Sequence, residues 1–265
     1  MSEIENDWAL ILGSSSGFGE ATARALAAEG VNIAGVHFDR KSEMERINEL
    51  IADMEDDGAE VVFFNQNAAS EDTREEVISE LDDRIGPDQQ LRVMMHSLAF
   101  GTLVRFVSDD DDVDTIDSKQ MDMTLDVMAH TLVYWTQDVV EAGLMDEGSR
   151  IYAMTSAGGH QAWENYGAVS AAKAALEAHI RQLTVELGDR GITANAIQAG
   201  VTDTPALRKI PGYEDMIEHA ESANPTGRMT TPEDVAKAIT LLSQPGSQFI
   251  SGNVIRCDGG EDITR

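Results

Sequence analysis

Apolar residues in this chain fall into short unbroken runs separated by stretches with helical spacing. Trp8 to Leu12 is the first run, and it ends at a glycine-rich turn, Gly13-Ser14-Ser15-Ser16-Gly17-Phe18-Gly19. Gly19 to Glu29 then places apolar residues on one helical face. Val31 to Phe38 reads as a second strand, Ser42 to Asp57 as a helix and Glu60 to Phe64 as a third strand. Glu71 to Ile85 is a helix, and Leu91 to Met95 a fourth strand with His96-Ser97 at its end. Unbroken apolar strands alternating with helices predict a parallel sheet covered on both faces.

The pattern continues downstream. Ser118 to Gly143 is predicted as one long helix, with Met121, Leu125, Met128, Leu132 and Val139 forming a stripe that reads as core or subunit interface. Ile151 to Met154 is strand five, Trp163 to Leu187 a helix, Thr193 to Ile197 strand six, and Asn253 to Arg256 a last strand before Asp258-Gly259-Gly260. Thr231 is the expected N-cap of a helix over Pro232 to Leu242, with proline at its first position. Residues 200–225 are of mixed character, with Pro205, Pro211 and Gly212, which suits a mobile segment covering a substrate. The acidic stretch Ser108 to Asp114 reads as a loop, because strongly patterned sequence follows it. With no internal repeat or linker, the expectation is one Rossmann-like domain over residues 1–265, a doubly wound parallel α/β sheet with helices on both faces.

Composition narrows the setting. A chain of 265 residues with 42% hydrophobic content can bury one substantial core. No run approaches the roughly 18 apolar residues of a membrane span, and the polar start lacks the basic and apolar regions of a signal peptide. Cys257 is the only cysteine, so no intrachain disulfide forms and a cytoplasmic protein is expected. The net charge is −29, from 48 acidic and 19 basic residues, only five of them lysine. Such a surface repels nucleic acid and anionic membranes. Its even spread from Glu3 to Asp262 reads as a solvated coat suited to concentrated salt, where repulsion is screened within a few ångströms; a docking face for a basic partner is the other reading. The six histidines show no metal-ligand spacing, and no metal is assigned.

The chemistry concentrates at two places. The glycine turn follows a strand and opens a helix, the setting of a dinucleotide site: Gly13 for the tight turn, Gly17 for close approach of the pyrophosphate, Gly19 for helix packing. The hydroxyls of Ser14, Ser15 and Ser16 are expected to add donors where the helix N-terminus already favours an anion. Farther on, Tyr166 and Lys173 stand seven residues apart on the predicted fifth helix. Two helical turns put both on one stripe, where the lysine can hold a ribose and lower the phenol's pKa.

Taken together these residues resemble the short-chain dehydrogenase/reductase family over essentially the whole chain. The matching residues are Gly13-x3-Gly17-x-Gly19, Asn67-Ala68, Ser156, the tyrosine–lysine helix, Asn195-Ala196 and Asp258-Gly259-Gly260. Ordinary members carry tyrosine four residues before lysine, a position held here by Val169. The Tyr-x6-Lys spacing is instead similar to the enoyl-acyl-carrier-protein reductases of the same family, as are His96-Ser97-Leu98-Ala99-Phe100, Asp126, Ala199 to Thr204 and Pro225-Thr226-Gly227-Arg228. The stretch from Glu164 to Ala178 is especially close to the divergent, NADPH-using members of that branch.

The resemblance implies hydride transfer from NAD(P)H to the β-carbon of a trans-2-enoyl thioester, carried on acyl carrier protein or CoA in fatty-acid synthesis, by a homotetramer. It implies catalytic roles for Tyr166, Lys173 and Ser156, and cofactor contacts from Asn67, Ala68, Ser97, Thr202 and Thr204 besides the glycine turn, with Phe18 in it. Displacing the tyrosine three residues moves its hydroxyl by about 4.5 Å, which suits a thioester oxygen remote from the carbon attacked. Cofactor choice has two readings. The generic count past the last glycine finds Asp39 and favours NAD. The family's shorter count finds His37, leaving Arg40 and Lys41 for a 2′-phosphate, and NADPH is the favoured expectation. A carbonyl reductase or alcohol dehydrogenase, and a catalytically silent nucleotide sensor, remain as alternatives.

Overall fold

Seven short strands form a single parallel sheet in the order β3-β2-β1-β4-β5-β6-β7. The computed structural model describes residues 4–264. The strands are β1 (Trp8–Leu12), β2 (Asn32–His37), β3 (Val61–Asn65), β4 (Leu91–His96), β5 (Arg150–Thr155), β6 (Thr193–Ala199) and β7 (Val254–Cys257). The helices are α1 (Gly17–Ala27), α2 (Met44–Asp56), α3 (Glu71–Arg84), α4 (Ser118–Leu125), α5 (Thr131–Glu141), α6 (Gly167–Leu187), α7 (Tyr213–Ala223) and α8 (Pro232–Ser243).

Alternate residues of each strand enter different cores, which is why the strands read as unbroken apolar runs. Leu10, Val36, Met94, Ile151 and Ala194 meet Met128, Leu132 and Trp135 before and within α5, and Leu176 and Ile180 of α6. Ile11, Ile33, Val93, Tyr152 and Ile197 face the other way, against Leu26 of α1, Leu50 and Met54 of α2, and Val235 and Ile239 of α8. Strand order reverses between β1 and β4, which pair with Leu12 opposite His96. A crevice at such a switch point, outside the carboxyl ends of the strands, is where doubly wound sheets bind ligands.

Three elements differ from the sequence expectation. The long helix over 118–143 is interrupted by a π-helical segment at Asp126–His130, and it starts at a capping box formed by Asp117 and Gln120. The apolar residues Met121, Leu125, Met128 and Leu132 keep spacings of four, three and four across this segment, so periodicity does not reveal it. Residues 200–225 hold α7 and a small apolar cluster of Val201, Leu207 and Ala220, so this segment is more ordered than its prolines suggest. Helix α6 begins at Gly167, leaving Tyr166 just outside it with φ −96° and ψ 1°. Helix α8 starts as expected: Thr231 caps it and Asp234 returns the bond.

Candidate active site

The glycine turn is built by close approach. Gly13 has φ +89°, and a Cβ there would come within 2.6 Å of the Ser97 carbonyl oxygen. A side chain at Gly19 would strike the Gly13 carbonyl, so this glycine lets the start of α1 close onto the turn. The Thr204 methyl lies 3.4 Å from the Cβ position of Gly17. Turn, Ser97 and the Thr202–Thr204 loop, far apart in sequence, therefore converge at the switch point.

The three serines divide. Ser14 is fully buried and its hydroxyl donates to the Val36 carbonyl at 3.4 Å, which corrects its expected role as a phosphate donor. Among the described residues, no protein group claims the hydroxyls of Ser15 or Ser16. Asn67 is spent on its own turn, its Oδ1 accepting from Ala69 N at 3.1 Å. The Ala68 carbonyl accepts from Trp135 Nε1 at 2.8 Å. Ser97 N donates to Leu12 O at 2.8 Å, which extends the β1–β4 ladder to the site.

Ser156, just past β5, brings its Oγ to 3.3 Å from the Tyr166 hydroxyl. The phenol is 7% exposed, its ring 5.1 Å from that of Trp163 and packed against Gly158. Asn165 takes φ +62° immediately before it. That left-handed residue turns the chain into α6 and aims the tyrosine inward; asparagine is among the few non-glycine residues that tolerate it. Ser170 locks the same corner by donating to the Gly158 carbonyl.

Lys173 is also buried, and its Nζ donates to the Met154 carbonyl at 2.7 Å. Burial lowers its pKa to about 8, against a smaller opposing pull from Glu177. Glu177 is itself fixed by Thr155 Oγ1 at 2.7 Å. The expectation that Lys173 lowers the phenol's pKa is corrected: burial pushes the Tyr166 phenol up, and the bond to Ser156 opposes that shift. The phenol is therefore a proton-bearing hydrogen-bond donor at neutral pH. His96 is wholly enclosed, its Nε2 2.9 Å from Thr131 Oγ1, and burial followed by the Lys173 charge lowers its pKa to about 3.

A cavity of about 250 Å³ opens over this corner. Tyr166, Ser156, Phe18, Thr202 and Thr204 face it, and Leu103, Met128, Trp163, Leu207, Ile210 and Met216 make the rest largely apolar. Thr204 Oγ1 accepts from Leu207 N at 3.2 Å and keeps its own proton to give, while the Thr202 hydroxyl donates to Gly200 O at 3.0 Å. Arg40 and Lys41 are exposed at the far, β2 end. His37 is 4% exposed, so it cannot be the discriminating contact; Asp39 stands above it, its Oδ2 3.0 Å from His37 Nδ1. Among the described residues no group of three or more histidine, cysteine or acidic side chains could hold a metal ion. Among the described residues no helix is long and apolar enough to cross a membrane.

Residues 13–261 match the family model described as Enoyl-(Acyl carrier protein) reductase. The enoyl-[acyl-carrier-protein] reductase [NADH] of Nostoc sp. (strain PCC 7120) is 29% identical over 243 residues, covering 91% of this chain and 90% of that protein. The crystal structure of enoyl-[acyl-carrier-protein] reductase (NADH) from Aquifex aeolicus VF5 shares the fold at a TM-score of 0.84 and 24% identity, covering 98% of each chain. The reductase of Anaplasma phagocytophilum, solved in complex with NAD, gives 0.83 at 20% identity over 99% of this chain and 94% of that one. All three carry NADH or NAD in their descriptions, which overturns the expectation of NADPH through Arg40 and Lys41. Asp39 stands two residues past the end of β2, and a carboxylate in that neighbourhood favours ribose hydroxyls over a 2′-phosphate.

Proposed function

The chain belongs to the enoyl-(acyl carrier protein) reductase family, and from that premise we propose that Tyr166, Ser156 and Lys173 reduce the C2–C3 double bond of an enoyl thioester with NADH as the reductant. The residues present fit that cofactor. Gly13 and Gly19 leave a backbone surface that any Cβ would fill, α1 points its N-terminus at the turn, and Ser15 and Ser16 have hydroxyls to spare. Asp39 receives the adenosine ribose, Lys173 the nicotinamide ribose, and Thr202 and Thr204 border the nicotinamide end. When bound, NADH supplies the hydride that reaches the β-carbon of the substrate.

The observation that carries this reading is the buried, protonated phenol of Tyr166 facing an apolar cavity. As the β-carbon is reduced, negative charge develops on the thioester oxygen, and a preorganised donor there stabilises it. Ser156, 3.3 Å from the phenol, orients the hydroxyl. Apolar walls suit an acyl chain, and the segment over 200–225, with α7, covers it. The domain unit is residues 1–265. The test follows NADH consumption with crotonyl-CoA and with acetoacetyl-CoA. Turnover of the first alone is the expected result. Turnover of the second alone would make the protein a carbonyl reductase, and cofactor binding without either turnover would make it a nucleotide sensor.

The substrate arrives on acyl carrier protein or CoA. Arg208 is neutralised by a two-pronged bond to Asp203, 2.8 Å on each side, which leaves Lys209 as the cation at the cavity. One lysine against a net charge of −29 does not attract an acidic carrier at long range. We place the protein in a salt-rich cytoplasm, as a homotetramer whose exposed Leu241 and Phe249 suit a subunit contact. Activity on an acyl-carrier substrate is expected to rise as salt increases from about 0.1 M to about 1 M, where the Debye length falls from about 10 Å to about 3 Å. A short neutral thioester should gain less. Circular dichroism over the same range checks that folding is constant, and a loss of carrier-dependent activity with salt would reverse the conclusion.

A further inference from the structure

Asp39 stands just beyond β2 and is held from two sides. Its Oδ2 lies 3.0 Å from Nδ1 of His37. Asn65, the last residue of β3, accepts from the Asp39 N–H at 2.9 Å and donates to the Asp39 carbonyl at 3.1 Å. The β2–β3 ladder ends with His37 opposite Asn65. The Asn65 amide thus behaves as one more strand residue, gripping the backbone of Asp39 in both directions. An Asn65 Nδ2 contact of 3.3 Å to Met44 Sδ ties the same side chain to α2.

Beneath this sits His37, 4% exposed, its ring centroid 5.8 Å from that of Phe63. Burial holds its pKa below the usual histidine value despite the pull of Asp39. A neutral imidazole beside a carboxylate donates from Nδ1, so Asp39 keeps its whole charge and has Oδ1 left for other donors. The nearest cation on α2 does not cancel it: Arg46 is engaged by Glu20 Oε2 at 2.9 Å and by the Ser15 carbonyl at 2.5 Å. Arg40 and Lys41, by contrast, are exposed and lie one and two residues away.

We propose that His37 and Asn65 are positioning residues that hold the Asp39 carboxylate as acceptor for the adenosine ribose hydroxyls, and that this brace sets the selectivity for NADH over NADPH. The proposal rests on the NADH reading above. Selectivity is a difference of affinities, and a fixed like charge is an effective way to reject a competitor. A carboxylate held in place gains the ribose hydroxyls and repels a 2′-phosphate. A carboxylate free to swing away loses both effects and leaves Arg40 and Lys41 to receive the phosphate.

The experiment is steady-state kinetics with a crotonyl thioester, measuring the KM for NADH relative to that for NADPH. Asp39→Ala should raise this ratio about tenfold, as expected for one lost hydrogen bond to a charged group. His37→Phe, which keeps the ring and removes the donor, should move the ratio the same way, through KM rather than kcat. His37→Asn places an amide nitrogen near the Nδ1 position and should restore it. Asn65→Ala alters an exposed side chain and should also shift the ratio, so it decides the matter if the phenylalanine variant fails to fold. A ratio unchanged in His37→Phe and Asn65→Ala, but shifted in Asp39→Ala, overturns the brace and leaves the Asp39 reading intact. A ratio unchanged in Asp39→Ala overturns that reading itself.

Discussion

Replacing Tyr166 with phenylalanine is expected to cut turnover on enoyl thioesters by about 10²–10³, the usual cost of removing one preorganised donor from a developing oxyanion, about 3–4 kcal/mol of barrier. The ring keeps its contacts with Trp163 and Gly158, and the hydroxyl lost is bonded in the free protein only to Ser156 among the described residues. Folding and NADH binding should therefore survive, and the loss should fall on kcat. Because burial raises the phenol's pKa, wild-type activity should show no loss from tyrosine ionisation near neutral pH. Single-turnover kinetics with saturating cofactor separates the chemical step from release. Full turnover in a purified, folded Tyr166→Phe protein would remove the phenol from the mechanism.

Lys173→Met is expected to separate stability from function. In the folded protein the ammonium titrates at about 8, against 10.5 for an unperturbed lysine. Between these values the unfolded chain binds more protons, so stability rises with pH across that window. Below pH 8 the fold carries the full penalty of the buried charge, about 3 kcal/mol at 1.36 kcal/mol per pKa unit. Methionine fills much of the same space without that penalty. The cofactor-free variant should melt at a higher temperature than wild type at pH 7, and the gap should narrow as pH climbs from 8 towards 10.5. NADH affinity should fall about 10–100-fold, the range for a hydrogen bond from a charged donor. Thermal melts at pH 7 and 9.5, with fluorescence titration of NADH, measure both. A variant less stable than wild type at pH 7 would show that the bond to the Met154 carbonyl outweighs the desolvation of the ammonium.

Glycine, proline and apolar spacing made most of the architecture legible. The run Trp8–Leu12 is β1 to the residue, and Thr231-Pro232 marks the start of α8, because a strand buried on both faces and a capped helix start are local properties of the chain. The glycine turn is equally local, although the reason for Gly19 is not: it yields to the carbonyl of Gly13, an approach that exists only once α1 folds back. The π-helical turn at Asp126–His130 and α7 escaped a reading by period, the first because the apolar residues keep spacings of three and four across it, the second because nearby prolines disguise it.

The site divides in the same way. Residue identity and the spacing of Tyr166 and Lys173 pointed to a hydride-transfer site, and the family resemblance they carry implied reduction of an enoyl thioester. Which groups those side chains address was decided by packing across the sheet. Lys173 turns to the Met154 carbonyl of β5, Ser14 turns away from the turn to the Val36 carbonyl, and Ser156 meets the phenol where left-handed Asn165 turns the chain into α6. The surroundings of Asp39 are the clearest case. Arg40 and Lys41 are conspicuous as sequence, whereas the Asp39 carboxylate meets His37 at the end of β2 and the Asp39 backbone is gripped by Asn65 of β3, twenty-six residues farther along the chain. Charge can be counted along a sequence, but its direction is set by hydrogen bonds that close only between neighbouring strands.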